Sequence, residues 1–206
     1  MFAKSAPAVI CSLPKKLIPT LAFLTMLSTG TAHAVPVVNG SFETGLTGWT
    51  ASGTVESKDI EGATNGTFSA VFGYGNFPNN GVISQVLATV AGKGYTLNFD
   101  YGAFGQSGVL QSLRVEVLGG LTLLDTTVGA VAAGFSTTTF ASNGFSFVAD
   151  SGSTTLRFSD LSGAVTNNVD GILDNVTVAE VSGPGALSVF GFGALCLGYT
   201  RRRKSA

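Results

Sequence analysis

From Tyr95 to Tyr101 the chain alternates without interruption: Tyr95, Leu97, Phe99 and Tyr101 are apolar, and Thr96, Asn98 and Asp100 between them are polar. Successive side chains of a strand leave opposite faces, so this spacing predicts a strand with one buried face. The period recurs where Leu113, Val115 and Val117 flank Arg114 and Glu116. It recurs again as Phe145 and Phe147 around Ser146, Leu156 and Phe158 around Arg157, and Val176 and Val178 around Thr177. Clusters of turn residues separate these runs: Gly73 to Gly81, Gly119-Gly120 and Ser151-Gly152-Ser153. No long stretch has a period near 3.6 residues, and no unit repeats at a fixed interval. Many short strands at such spacing predict an all-β chain folded as an antiparallel β-sandwich.

The two ends follow different rules. Lys4, Lys15 and Lys16 precede an apolar run from Leu17 to Leu27, and Ala32-His33-Ala34 follows it. That is the layout of a secretory signal peptide over 1–34, cleaved before Val35. At the other end, residues 184–199 carry no charge and Arg201-Arg202-Arg203-Lys204 follow almost at once. As a helix this run reaches roughly 24 Å, a thin span for a hydrocarbon core of about 30 Å. The basic block would hold its end in the cytoplasm. The expected organisation is a signal peptide, a β-sandwich over 35–181, and a tail over 182–206 with one transmembrane helix. The body would be exported and at first held at the inner membrane.

Within the body only Lys58, Lys93, Arg114 and Arg157 are cationic, whereas all twelve acidic residues lie between Glu43 and Glu180. Such a body does not bind nucleic acid by neutralising phosphates. Cys11, Cys196 and His33 all lie outside it. This excludes an internal disulfide, a cysteine nucleophile, a histidine-based triad and any His or Cys metal site. Oxygen chemistry remains, as paired carboxylates or ligands for a hard cation such as calcium.

Val181-Ser182-Gly183-Pro184, the Gly- and Leu-rich span and the Arg201, Arg202, Arg203, Lys204 cluster together resemble the PEP-CTERM sorting signal of bacteria with exosortases. Ser182 and Gly183 stand where that family carries Pro and Glu. The resemblance implies an exosortase-type processing enzyme as partner, and delivery of the body to the cell surface or the exopolysaccharide matrix.

Asn39-Gly40-Ser41-Phe42-Glu43 with Gly48-Trp49, then Ile83-Ser84-Gln85 to Gly94-Tyr95-Thr96-Leu97, then Leu173-Asp174-Asn175-Val176 resemble galactose-binding-like jelly-roll carbohydrate-binding modules. That resemblance covers nearly the whole body and implies a jelly roll whose first and last segments are neighbours. It also implies a structural calcium held by the carboxylates of Glu43 and Asp174 with backbone carbonyls. Trp49, the one tryptophan, takes a packing role in this pattern.

The loop from Gly73 to Gly81 sets Tyr74 and Phe77 beside Asn76 and Asn79, so ring stacking and hydrogen bonds to sugar hydroxyls would come from one ledge. Tyr101, Phe104 and Gln106 form a second candidate group at a strand end. Three classes stay open: a non-catalytic glycan-binding surface protein, a structural adhesin without a sugar site, and a hydrolase using two of Asp100, Asp125, Asp150, Asp160 and Asp170. No spacing singles out a catalytic pair, so the expectation is a non-enzyme.

Overall fold

The computed structural model describes residues 34–59, 61–75, 78–162 and 168–181. The signal segment up to His33 and the tail from Ser182 onward lie outside the described residues, as do Asn76 and Phe77. No helix among the described residues is long and apolar enough to cross a membrane.

The described chain forms eleven strands: β1 (Ala34–Val35), β2 (Thr50–Ser52), β3 (Val55–Lys58), β4 (Ser69–Phe72), β5 (Val82–Ala88), β6 (Gly94–Gly105), β7 (Leu110–Leu118), β8 (Thr122–Val131), β9 (Thr139–Val148), β10 (Ser153–Asp160) and β11 (Val169–Glu180). They make two antiparallel sheets. One runs β3-β4-β11-β6-β9, with β1 also paired to β11; the other runs β2-β5-β10-β7-β8. The sandwich expected from the alternation is what forms, and every alternating run named above lies within a strand.

Between the sheets, Tyr95, Leu97, Phe99 and Tyr101 of β6 meet Leu113, Val115 and Val117 of β7 and Leu156 and Phe158 of β10. Phe99 meets Phe158 edge-on with ring centroids 5.2 Å apart. Trp49 is buried beside Phe42, centroids 5.5 Å apart, and its Nε1 donates to the Asn39 carbonyl at 3.1 Å. Tryptophan is thus spent on packing, as the sequence pattern implied. Gln85 fixes the same corner: its Oε1 accepts from Val38 N at 2.7 Å, and its Nε2 donates to the Val38 and Gly48 carbonyls.

One bulge decides which face carries chemistry. On β11 the register jumps from Asp174 opposite Asp100 to Thr177 opposite Asn98, so β11 holds one residue more than β6. Asn175 absorbs the extra residue in the left-handed region, at φ 54°. Before the bulge Gly171 and Leu173 point inward, opposite Ala103 and Tyr101; after it Val176 and Val178 do. Asp170, Ile172 and Asp174 are thereby turned to the outer face of the first sheet.

That outer face is not left open. Residues 61–68, between β3 and β4, lie across it as a strap. Asp174 Oδ2 accepts from Thr64 N at 2.6 Å and Asn65 N at 2.8 Å, and Glu43 Oε1 accepts from Thr67 N at 2.8 Å and Phe68 N at 2.7 Å. Gly66 takes φ 92° in the strap, and a side chain there would strike the Glu43 carboxylate. Ile172 and Val71 are fully buried under the strap although neither belongs to the core between the sheets.

Candidate functional site at the loop end of the sandwich

The loops after β4, β6, β8 and β10 gather at one end. Gly105 N donates to the Gly134 carbonyl at 3.2 Å, Gln106 N to Asn168 at 3.0 Å, and Gly108 N to Ala132 at 2.9 Å. Phe135 projects here, 63% exposed, with its ring set edge-on to Phe104 at a centroid distance of 6.0 Å. Phe104 is the direct cross-strand partner of Asp170, so ring and carboxyl leave the same outer face. Tyr74 is half-buried nearby, and the Lys58 ammonium stands 4.4 Å from its ring centre while pairing with Glu56 at 2.7 Å. One face of Tyr74 is therefore already occupied by a cation.

The predicted ledge is divided by these placements. Tyr74 is partly accessible, Asn79 is 5% exposed, and Asn76 and Phe77 lie outside the described residues. Of the second group, Tyr101 is 1% exposed in the core, where its own alternation with Leu97 and Phe99 puts it. Phe104 and Gln106 do reach the loop end. Phe135 was not singled out, because an aromatic within Gly134-Phe135-Ser136 carries no periodic signal.

Behind the aromatics lies a set of oxygens without donors. Glu61, at the start of the strap, is 4% exposed and its Oε2 has no hydrogen-bond partner. Its side chain meets that of Asp170, and burial together with this neighbour raises Glu61 to about 8. Burial likewise raises Asp170, to about 6. Two carboxyls in contact cannot both ionise cheaply, so the pair retains one proton near neutrality. Asn79 Oδ1, Asp160 Oδ2, Gln111 Oε1 and the Tyr101 hydroxyl are also buried and unpartnered. Burial pushes Asp160 up, against the opposing hydrogen bonds from Ser162. It pushes the Tyr101 hydroxyl far up, with Asp160 adding to the effect.

The residues expected to hold calcium are placed by the strap. Asp174 is fully buried; besides the two strap N–H groups, Oδ2 accepts from Thr64 Oγ1 at 3.2 Å and Oδ1 from Asn175 N at 2.7 Å. Glu43 is exposed and gives Oε1 to two N–H groups. N–H groups thus occupy Asp174 Oδ2 and Glu43 Oε1. Beside them, burial pushes Asp100 up, but hydrogen bonds from Ser142, Thr64 and Asn175 outweigh it and hold the carboxylate low.

The outer face of the second sheet offers a different surface. Glu116 accepts from Arg157 at 2.7 Å and pairs with Arg114 at 3.2 Å; Arg114 also grips Asp125 through two nitrogens at 2.9 and 2.7 Å. The five strands of this sheet contain one aromatic residue, Phe158, and it is fully buried. No ring is available there for stacking. Asp150 is a turn cap, accepting from Gly120 N at 3.0 Å and Leu121 N at 2.8 Å, which holds its carboxyl low.

No protein-family profile matches the chain, and no curated protein matches its sequence. Solved structures do match. One is a carbohydrate-binding module in complex with beta-1,4-galactotriose, at TM-score 0.52 and 20% identity over 71% of this chain and 99% of that one. A family 16 carbohydrate-binding module matches at TM-score 0.52 and 17% identity, covering 69% and 97%. A cyclase from Fischerella sp. TAU matches at TM-score 0.55 and 16% identity, covering 75% and 100%. The chain shares their fold. Because one is an enzyme, the fold does not choose among functions; the site must.

Proposed function

We propose that this chain is a non-catalytic glycan-binding domain of an exported surface or matrix protein. The observation that carries the reading is Phe135, 63% exposed and braced by Phe104, whose cross-strand neighbour is Asp170. A rigid exposed ring beside a carboxyl offers a pyranose both an apolar face and a hydroxyl acceptor. The solved likeness to a module holding beta-1,4-galactotriose supports the ligand class. Glu61 and Asp170 are too close to be a hydrolytic pair, since glycosidase carboxyls stand about 5 Å or more apart across the scissile bond. Glu61 and Asp170 are in hydrogen-bond contact instead.

A shallow site of this kind binds weakly and gains retention from many copies on one matrix. The test is retention of the purified protein on the host's exopolysaccharide, with Phe135→Ala and Tyr74→Ala beside it and melting checked. Loss in Phe135→Ala at unchanged melting supports the site. Equal retention of all three removes it, and no retention at all favours the adhesin reading. The PEP-CTERM-like tail supports exosortase processing; mass spectrometry of the protein recovered from the cell exterior should find a C-terminus ahead of Arg201, and an intact Ala206 end would overturn that part.

A further inference from the structure

We infer that Glu61, Asp170 and Asn79 form a seat for a divalent cation, calcium by the chemistry of its ligands, separate from Glu43 and Asp174 and sharing only Asp170 with the proposed glycan site. Two oxygen-bearing side chains approach Asp170 at the loop end: Glu61 in direct contact, and Asn79 across Gly73. Glu61 comes from the strap, Asp170 from the start of β11, and Asn79 from the loop between β4 and β5. The two carboxyls are in contact. Gly73, at φ 88°, is what lets Asn79 and Asp170 approach: a Cβ on it would collide with Asn79 Oδ1 and come within 3.3 Å of Asp170 Oδ1.

The second, independent sign is the missing partner. Asn79 is 5% exposed, yet its Oδ1 accepts no hydrogen bond, and Glu61, 4% exposed, has only the Asp170 carboxyl as its side-chain partner. A buried polar atom left unpaired is costly, so such groups call for a partner that satisfies them, a bound ion among them. What these oxygens lack is positive charge. The nearest cation, Lys58, is held by Glu56 and the Tyr74 ring. Asp160 adds a further carboxyl to the field around Asp170.

An all-oxygen set with two carboxylates and an amide carbonyl suits calcium, which takes six to eight oxygens in flexible geometry and would complete its shell with water or backbone carbonyls. Magnesium is bound through fewer protein oxygens and keeps more of its water. No group of three or more His, Cys, Asp or Glu suited to a metal occurs among the described residues, so the amide oxygen is a required part of the seat. Binding would replace the shared proton, giving the strap an ionic tie to β11 close to the exposed aromatics.

The test is calcium titration of the chelator-treated full-length protein by calorimetry at pH 7.5, beside Glu61→Gln, Asp170→Asn, Asn79→Asp and Glu43→Gln. The expected result is one calcium per chain, with affinity down tenfold or more in Glu61→Gln and Asp170→Asn and unchanged in Glu43→Gln. Asn79→Asp should tighten binding, since it adds charge where an oxygen already points. If Asn79 instead donates an N–H to Asp170, that variant would weaken the fold and bind no better, which overturns the assignment. Absence of calcium uptake, or uptake abolished by Glu43→Gln and untouched by Glu61→Gln, overturns it too. Because Glu61→Gln and Asn79→Asp leave Phe135, Tyr74 and Asp170 in place, failure of the seat and failure of the glycan site read out separately in those two variants.

Discussion

Asp174→Asn is the sharpest probe of how the strap is held. The carboxylate is fully buried and accepts from Thr64 N, Asn65 N and Asn175 N at 2.6 to 2.8 Å, with Thr64 Oγ1 at 3.2 Å. An asparagine can keep its oxygen towards the strap, but its NH₂ must then face the Asn175 N–H, donor against donor. Leaving that N–H unpaired costs about 1–3 kcal/mol, and each strap bond falls from the charged range of about 1.5–3 kcal/mol to about 0.5–1.5 kcal/mol. The expected loss is therefore about 3 kcal/mol. For a domain of this size that lowers Tm by roughly 6–12 °C. Chemical denaturation and thermal melting of the purified protein, each with calcium and with chelator, provide the assay. The loss should be the same in both, since N–H groups and no ion satisfy this carboxylate. A loss below about 1 kcal/mol would refute the hydrogen-bond reasoning, and one seen only with calcium would make Asp174 a metal ligand after all.

Two further outcomes follow from the same face. Glu61 and Asp170 have folded values above their unfolded ones, so the folded state keeps a proton that the unfolded chain releases. Their contribution is present below about pH 4.5 and is lost as pH rises towards about 8; metal-free denaturation across that window should show stability falling, and Glu61→Gln should flatten the fall. At the bulge, Asn175→Val should cost about 2 kcal/mol in the same denaturation assay because a β-branched residue resists positive φ, whereas Asn175→Gly should lose little beyond the bonds from its Nδ2 to Asp100 and from Asn65 Nδ2 to its Oδ1.

The strands were legible because burial on one face writes a period of two into the residues, as at Tyr95 to Tyr101. Tyr101 shows the limit of using residue type instead of period: an aromatic near a strand end looked like a ligand contact, but its parity with Phe99 already buried it. The bulge was not legible. Counting back by twos from Val178 and Val176 would send Asp174 and Ile172 into the core, and only the extra residue at Asn175 sends them out. Glu61 was invisible for another reason. Nothing near it in sequence marks it as buried; Asp170 and Thr138, more than seventy residues away, do that, the latter by donating its hydroxyl to the Glu61 carbonyl. The Gly73 to Gly81 loop read correctly as a turn-rich connection, but its amide at Asn79 turned inward.

β11 runs from Val169 at the loop end to Glu180, paired along its length to β6 on one side and, on the other, to β4 at Gly171 to Leu173 and to β1 at Val178 and Ala179. At about 3.3 Å per residue it spans roughly 40 Å, the full length of the sandwich. The exposed aromatics sit at its beginning, and whatever follows Val181 leaves from its end. If the loop end grips a matrix and the tail grips a cell, the tension enters through neighbouring strands such as β6, which carries Phe104, and leaves along β11. Its inter-strand hydrogen bonds lie across that line, so a pull must shear ladders on both sides, where the same pull on an edge strand would shear one. Putting the central strand between the two attachment points makes the domain a tie rod, hardest to open in the direction in which it would be stretched.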